Sequence, residues 1–133
     1  MYLKYCIFAA LFVLVIARRQ SFTAAGTLQC KGKPAANQEV VLKFTDPLLK
    51  AETVAKVKTG ANGSFKIAGE KNDKITHRAY VWVEHKCDPK NRPNCNVMAY
   101  FPIPYRQSGK TFNVGKKELS KAVYYNSCDD IDA

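Results

Sequence analysis

The chain has 133 residues, 47% of them apolar and 24% charged, with a formal net charge of +10 and five cysteines. That length suits one domain of ordinary size, large enough to bury a hydrophobic core that disulfides would still help to stabilise. The basic residues are scattered, which reads as a solubility device and as attraction to anionic surfaces, and no recognition motif points to nucleic acid.

The chain opens with Lys4 and an unbroken apolar run, Cys6 to Ala17, closed by Arg18 and Arg19. A bilayer-crossing helix needs roughly 20 apolar residues, so the run is too short to span and suits a signal-peptide core. Cleavage is expected after Ala17, with residues 1–17 as signal peptide and 18–133 as one secreted, extracellular domain that does not span a membrane. Removal of Cys6 leaves Cys30, Cys87, Cys95 and Cys128. An even number in an exported domain reads as two disulfides. The Cys87–Cys95 spacing lacks the close pairs of zinc sites, so no metal or other cofactor is expected.

Beyond the leader, short β-rich runs alternate with Gly, Pro, Asn and Asp, the pattern of an all-β sandwich or barrel. Strands are expected over Ser21–Cys30, Glu39–Phe44, Glu52–Thr59, Ser64–Ala68, His77–Cys87, Val97–Ile103 and Lys110–Leu119, with a short one near Val123-Tyr124-Tyr125. Asp46-Pro47 breaks the second run. Gly60-Ala61-Asn62-Gly63 between the third and fourth predicts a tight hairpin, because Asn-Gly tolerates positive φ. In His77–Cys87, Ala79, Val81 and Val83 share one face while Tyr80, Trp82 and Glu84 share the other, which predicts a central strand. The tail ends in Asp129, Asp130 and Asp132 and is expected to be loose.

Three spaced motifs coincide. They are Gly26-Thr27-Leu28-Gln29-Cys30 followed by Lys33-Pro34-Ala35, Thr59 to Gly69 (TGANGSFKIAG), and His85-Lys86-Cys87 with Cys95 following. Together they resemble the nematode-type transthyretin-like family, and Phe101-Pro102-Ile103-Pro104 and Phe112 to Leu119 echo two later blocks. Lys116 and Lys117 depart from the last of these. The resemblance runs from about Gly26 to Cys128 and implies a transthyretin-like (prealbumin-like) β-sandwich of seven to eight strands, exported and not an enzyme. Hydroxyisourate hydrolases share that fold but use a His-Arg-His set and a C-terminal Tyr-Arg-Gly-Ser. Here the only histidines are His77 and His85, and Tyr105-Arg106-Gln107-Ser108 lies inside the chain.

No catalytic residue is assigned. His85 reads as a strand-end histidine beside a disulfide, bonded to a nearby loop. Of the three possible pairings, Cys87–Cys95 is favoured because its loop closes cheaply, leaving Cys30–Cys128. Asn62-Gly63-Ser64 is an N-glycosylation sequon, and the same residues equally serve as turn chemistry. The candidate binding surface combines Tyr80 and Trp82 with the basic group Lys86, Lys90 and Arg92. It suits an anionic lipid or an acidic cell-surface protein. The alternative is carriage of a small lipophilic ligand between the sheets or at a dimer interface; the oligomeric state is left open.

Overall fold

In the computed structural model the described residues are 19–46, 50–72, 77–88, 90–92 and 94–128. The expected signal peptide, Pro47, Lys74 and the acidic tail lie outside them. Nine strands follow one another: β1 (Arg19–Cys30), β2 (Lys33–Pro34), β3 (Glu39–Thr45), β4 (Ala51–Lys58), β5 (Ser64–Asn72), β6 (Arg78–His85), β7 (Cys95–Ile103), β8 (Thr111–Glu118) and β9 (Tyr125–Cys128). The count exceeds the expected seven to eight because the two-residue β2 pairs with the end of β1. Two short 3₁₀ turns, Tyr105–Gln107 and Leu119–Lys121, flank β8.

Two sheets form a sandwich. One has the order β4-β3-β6-β7-β9; in the other β1 is central, with β2 and β5 along one edge and β8 along the other. Every pairing is antiparallel except β1 with β8. The period-2 alternation decides which residues face inward. From the five-stranded sheet come Val40, Leu42 and Phe44, then Ala79, Val81 and Val83, then Ala99, Phe101 and Ile103; from the other come Phe22, Ala24, Leu28, Phe65, Ile67 and Val114. Phe22 and Phe44 meet edge-to-face across the sheets with ring centroids 5.5 Å apart. As the two apolar faces over its middle predict, β6 is central in its sheet.

The hairpin expected at Gly60–Gly63 needs correction. The turn is tight, with Gly60 N–H donating to the Ser64 carbonyl (2.9 Å) and Gly63 N–H to the Gly60 carbonyl (3.0 Å). Yet β4 pairs with β3 and β5 with β1, so the turn carries the chain from one sheet to the other. Gly63 has φ +82°, and a Cβ there would stand 2.3 Å from the Leu28 carbonyl oxygen. The close approach lets the Gly63 carbonyl accept the Leu28 N–H (2.9 Å), pinning the crossover to β1. The turn with positive φ at both central residues is instead Lys31-Gly32 (φ 52° and 80°), between β1 and β2.

The cysteine pairing also differs from expectation. Cys30 is bonded to Cys87 and Cys95 to Cys128. The β6–β7 ladder ends at His85↔Val97. Beyond it the chain turns, with Cys87 N–H donating to His85 Nδ1 (3.0 Å) and Asp88 N–H to the Lys86 carbonyl (2.9 Å). That turn carries Cys87 to Cys30 of the opposite sheet, while Cys95 sits directly across from Cys128 on β9. Loop length favoured Cys87–Cys95, but the folded backbone decides which sulfurs meet.

Candidate ligand-binding face

The outward residues of β3, β6 and β7 come into rows through the strand register. Thr45 lies beside Arg78, Lys43 beside Tyr80 and Val41 beside Trp82; Trp82 in turn lies beside Tyr100. After β8 the chain returns to the edge of β7, and Tyr124 N–H donates to the Met98 carbonyl (2.8 Å) just before β9 begins. That single bond sets the Tyr124 ring against Tyr100 (5.2 Å between centroids) and edge-on to Trp82 (6.0 Å). Tyr80 completes the cluster, 4.9 Å from Tyr100 and 6.3 Å from Trp82. Thr45 Oγ1 donates to the Tyr80 hydroxyl at 3.3 Å.

These rings, with Thr45 and Arg78, line an open recess of about 250 Å³. Trp82 also walls a second hollow of about 180 Å³, lined by Glu39, Val41, Lys43, Thr53, Lys56 and Glu84. Lys43 Nζ stands 5.1 Å from the Trp82 ring centroid, a cation–π contact. Tyr80 and Trp82 are half-buried, whereas Tyr100 is 37% and Tyr124 67% exposed. Val123 and Tyr125, on either side of Tyr124 in sequence, are exposed as well. Offset and edge-on ring pairs each contribute about 0.5–1.5 kcal/mol beyond burial, which favours this clustered arrangement of the rings.

Of the candidate binding residues, Tyr80 and Trp82 lie on this face, while Lys86, Lys90 and Arg92 lie past the His85 end of β6. Arg78 marks the other end of the same strand, and the recess it lines reaches back along β6 as far as Trp82. The proposed grouping is therefore two separate regions. Arg92 is already engaged within the loop. It grips Asp88 through Nε to Oδ2 (2.8 Å) and Nη2 to Oδ1 (3.1 Å), and its backbone N–H donates to Oδ2 as well. Those bonds hold the Asp88 carboxyl well below the usual range, against the opposing effect of burial. Lys86 and Lys90 are exposed. Through the β1–β2 turn, the end of β4 and the Cys30–Cys87 bond, the topology brings Lys31, Lys33 and Lys58 to their end of the sandwich.

Tyr100, Tyr124, Lys43 and Arg78 were not singled out from sequence. Tyr100 was readable, since it alternates with the inward Ala99 and Phe101. Tyr124 carries no such signal, because its place depends on the return of the chain to the edge of β7.

His85 is 3% exposed, and its Nδ1 accepts the Cys87 N–H. The neutral ring therefore carries its proton on Nε2, which is buried without a hydrogen-bond partner. Burial pushes its pKa down to about 4. His77 lies before the opposite end of β6, with its N–H on Gln20 Oε1 (2.8 Å), so the two histidines do not form a pair. Among the described residues no group of His, Cys, Asp or Glu could hold a metal ion, and no helix is long and apolar enough to cross a membrane.

The transthyretin-like family model matches residues 25–104. Three Caenorhabditis elegans proteins are similar over most of their own length. "Transthyretin-like protein 16" is 31% identical over 108 residues, covering 81% of each chain. "Transthyretin-like protein 5" is 32% identical over 109 residues, 80% of this chain and 77% of its own. "Transthyretin-like protein 2" is 30% identical over 116 residues, 79% of this chain and 78% of its own.

Proposed function

The chain belongs to the transthyretin-like family, and from that premise we propose that it is an exported, non-enzymatic binding protein that docks on anionic lipid surfaces through the outer face of its five-stranded sheet. The observation that carries this reading is the exposed pair of rings, Tyr100 and Tyr124, that shares the recess with Arg78, with Lys43 on the neighbouring Trp82 ring. Aromatic rings with a polar tip settle at the headgroup level of a bilayer, and each nearby Lys or Arg adds about 1 kcal/mol of attraction to anionic lipid. Arg78 is exposed and makes no ion pair with the described residues, so its charge is available. The net charge of +10, or +9 once a leader carrying Lys4 is removed, adds long-range attraction of the same sign. Carriage of a small lipophilic ligand between the sheets has less support, because the inner faces meet in direct contact at Phe22 and Phe44.

Trp82 is the single tryptophan, so its emission reports on this face alone. The test is co-sedimentation with vesicles of phosphatidylcholine alone or mixed with phosphatidylglycerol, at low and high salt, read together with Trp82 fluorescence. Binding only to the anionic vesicles, lost in salt and accompanied by a blue shift, supports the reading. Sedimentation with unchanged emission would move the contact to the lysine-bearing end, and no sedimentation under any condition overturns lipid docking.

A further inference from the structure

The chain has one Asn-x-Ser/Thr sequon, Asn62-Gly63-Ser64, and the binding face makes no use of it. The turn that holds it is closed by main-chain bonds between Gly60, Gly63 and Ser64. Asn62 is exposed, as are Gly60, Ala61 and Ser64 around it. Its side chain bonds only through Oδ1, which accepts the Ser64 N–H (3.1 Å) and the Ser64 hydroxyl (2.6 Å). The amide is planar, so with Oδ1 held on Ser64 the Nδ2 end is turned outward. Nδ2 makes no hydrogen bond to the described residues.

From this arrangement we infer that Asn62 is an N-glycan attachment site, and that the glycan projects from the lysine-bearing end while leaving the aromatic recess open. The inference rests on export, because the sugar donor, a polyprenyl-pyrophosphate-linked oligosaccharide, is used in the secretory pathway. In the transfer the Nδ2–C1 bond forms and the C1–oxygen bond to pyrophosphate breaks. The lipid pyrophosphate leaves with the electron pair, and one Nδ2 proton passes to a base of the host transferase. Replacing that hydrogen with a sugar costs the folded turn no hydrogen bond, since every bond Asn62 makes runs through Oδ1.

Placement follows from the strand directions. β4 runs from Ala51, opposite Thr45, to Lys58, opposite Glu39, and the sequon follows within a few residues. Thr45 and Arg78 line the recess at the far end of this sheet. Six residues of strand separate Thr45 from Glu39, roughly 20 Å. Tyr124, bonded to Met98, is level with Lys58 along the strands but stands at the opposite edge of the sheet, four strand spacings or roughly 19 Å from β4. A glycan at Asn62 therefore stands over Lys58 and its neighbours and clear of Tyr100 and Tyr124. It hinders flat docking of the lysine-bearing end and favours approach through the aromatic face.

The experiment expresses the full chain in a eukaryotic secretory host with a C-terminal tag that carries its own sequon. Lysate and medium are both collected and compared before and after peptide:N-glycosidase treatment. Two glycans are expected on the unmodified chain and on Ser64→Thr, and one on Asn62→Asp and Ser64→Ala. Asn62→Asp keeps an oxygen acceptor for Ser64 and so preserves the turn. A glycan on the tag alone overturns the inference with export intact; no glycan on either site overturns export and this inference with it. Vesicle binding of the glycosylated and enzymatically deglycosylated chains is expected to agree within about twofold. Binding that appears only after deglycosylation would overturn the placement.

Discussion

Cys30 ends the central strand of one sheet, Cys87 follows the central strand of the other, and their bond ties the two sheets together at one end of the sandwich. It spans 57 residues of sequence, against 33 for the Cys95–Cys128 bond that fastens edge strand β9 to β7. On the chain-entropy account each contributes roughly 4 kcal/mol. The joint Cys30→Ala and Cys87→Ala replacement is expected to lower stability by about 2–5 kcal/mol, read as the urea midpoint of a two-state transition. Peptide mapping of the native, unreduced protein should recover Cys30 with Cys87. Recovery of Cys87 with Cys95 would contradict this fold.

The vesicle-binding face is expected to depend on Lys43 and Arg78 and not on Arg92. Neutralising both as Lys43→Gln and Arg78→Gln removes about 2 kcal/mol of attraction, or roughly a thirtyfold loss of affinity for anionic vesicles. Tyr124→Ala should weaken binding while leaving the fold intact, since that ring is 67% exposed. Arg92→Ala should leave affinity unchanged and lower stability, because it strips a buried carboxylate of its partner. A titration in which Arg92→Ala abolishes binding and the Lys43/Arg78 pair does nothing would locate the site in the loop after β6.

His85 makes the fold sensitive to mild acid. Its pKa is depressed to about 4 in the fold against an ordinary 6.5, so between these values the unfolded chain binds a proton that the folded chain does not. Stability therefore falls as pH drops from about 6.5 towards 4, by up to about 3 kcal/mol, and the slope vanishes above pH 6.5. Urea midpoints measured across this range should show the loss, and His85→Gln should flatten it. An unchanged slope in that variant would assign the acid sensitivity to another group.

Gly63→Ala should be among the most damaging surface-turn substitutions. The added Cβ meets the Leu28 carbonyl oxygen at 2.3 Å, and φ is +82°, so steric and conformational costs add. A loss of about 2–3 kcal/mol is expected, comparable to overpacking combined with left-handed strain. Gly109→Ala, at the similar φ of +80° but with no atom near its Cβ, isolates the conformational part and should cost about 1 kcal/mol. Equal thermal shifts for the two would refute the close approach.

Much of the sandwich was legible because burial imposes period 2. Val81 and Val83 against Tyr80 and Trp82, or Val40 and Leu42 against Val41 and Lys43, declare an inner and an outer face without coordinates. The aromatic face was half legible for the same reason: Tyr80 and Trp82 followed from alternation, and Tyr100 could have. The Arg92 ion pair was not legible, because nothing in the local sequence states that Asp88, four residues earlier, turns inward to meet it.

Local chemistry alone thus determined the strands, the family resemblance, the number of cysteines available to pair and the sequon, since each depends on neighbouring residues or spacing. Tertiary structure decided which sulfurs meet, that the turn at Asn62 crosses between sheets, that Tyr124 lies on Trp82, and that the lysines of the β6–β7 loop stand apart from the aromatic recess. Those outcomes depend on where the backbone goes after each strand ends. Long-range contacts set that path: the Gly63 carbonyl on the Leu28 N–H, and the Tyr124 N–H on the Met98 carbonyl. No short window of sequence contains both partners of such a bond.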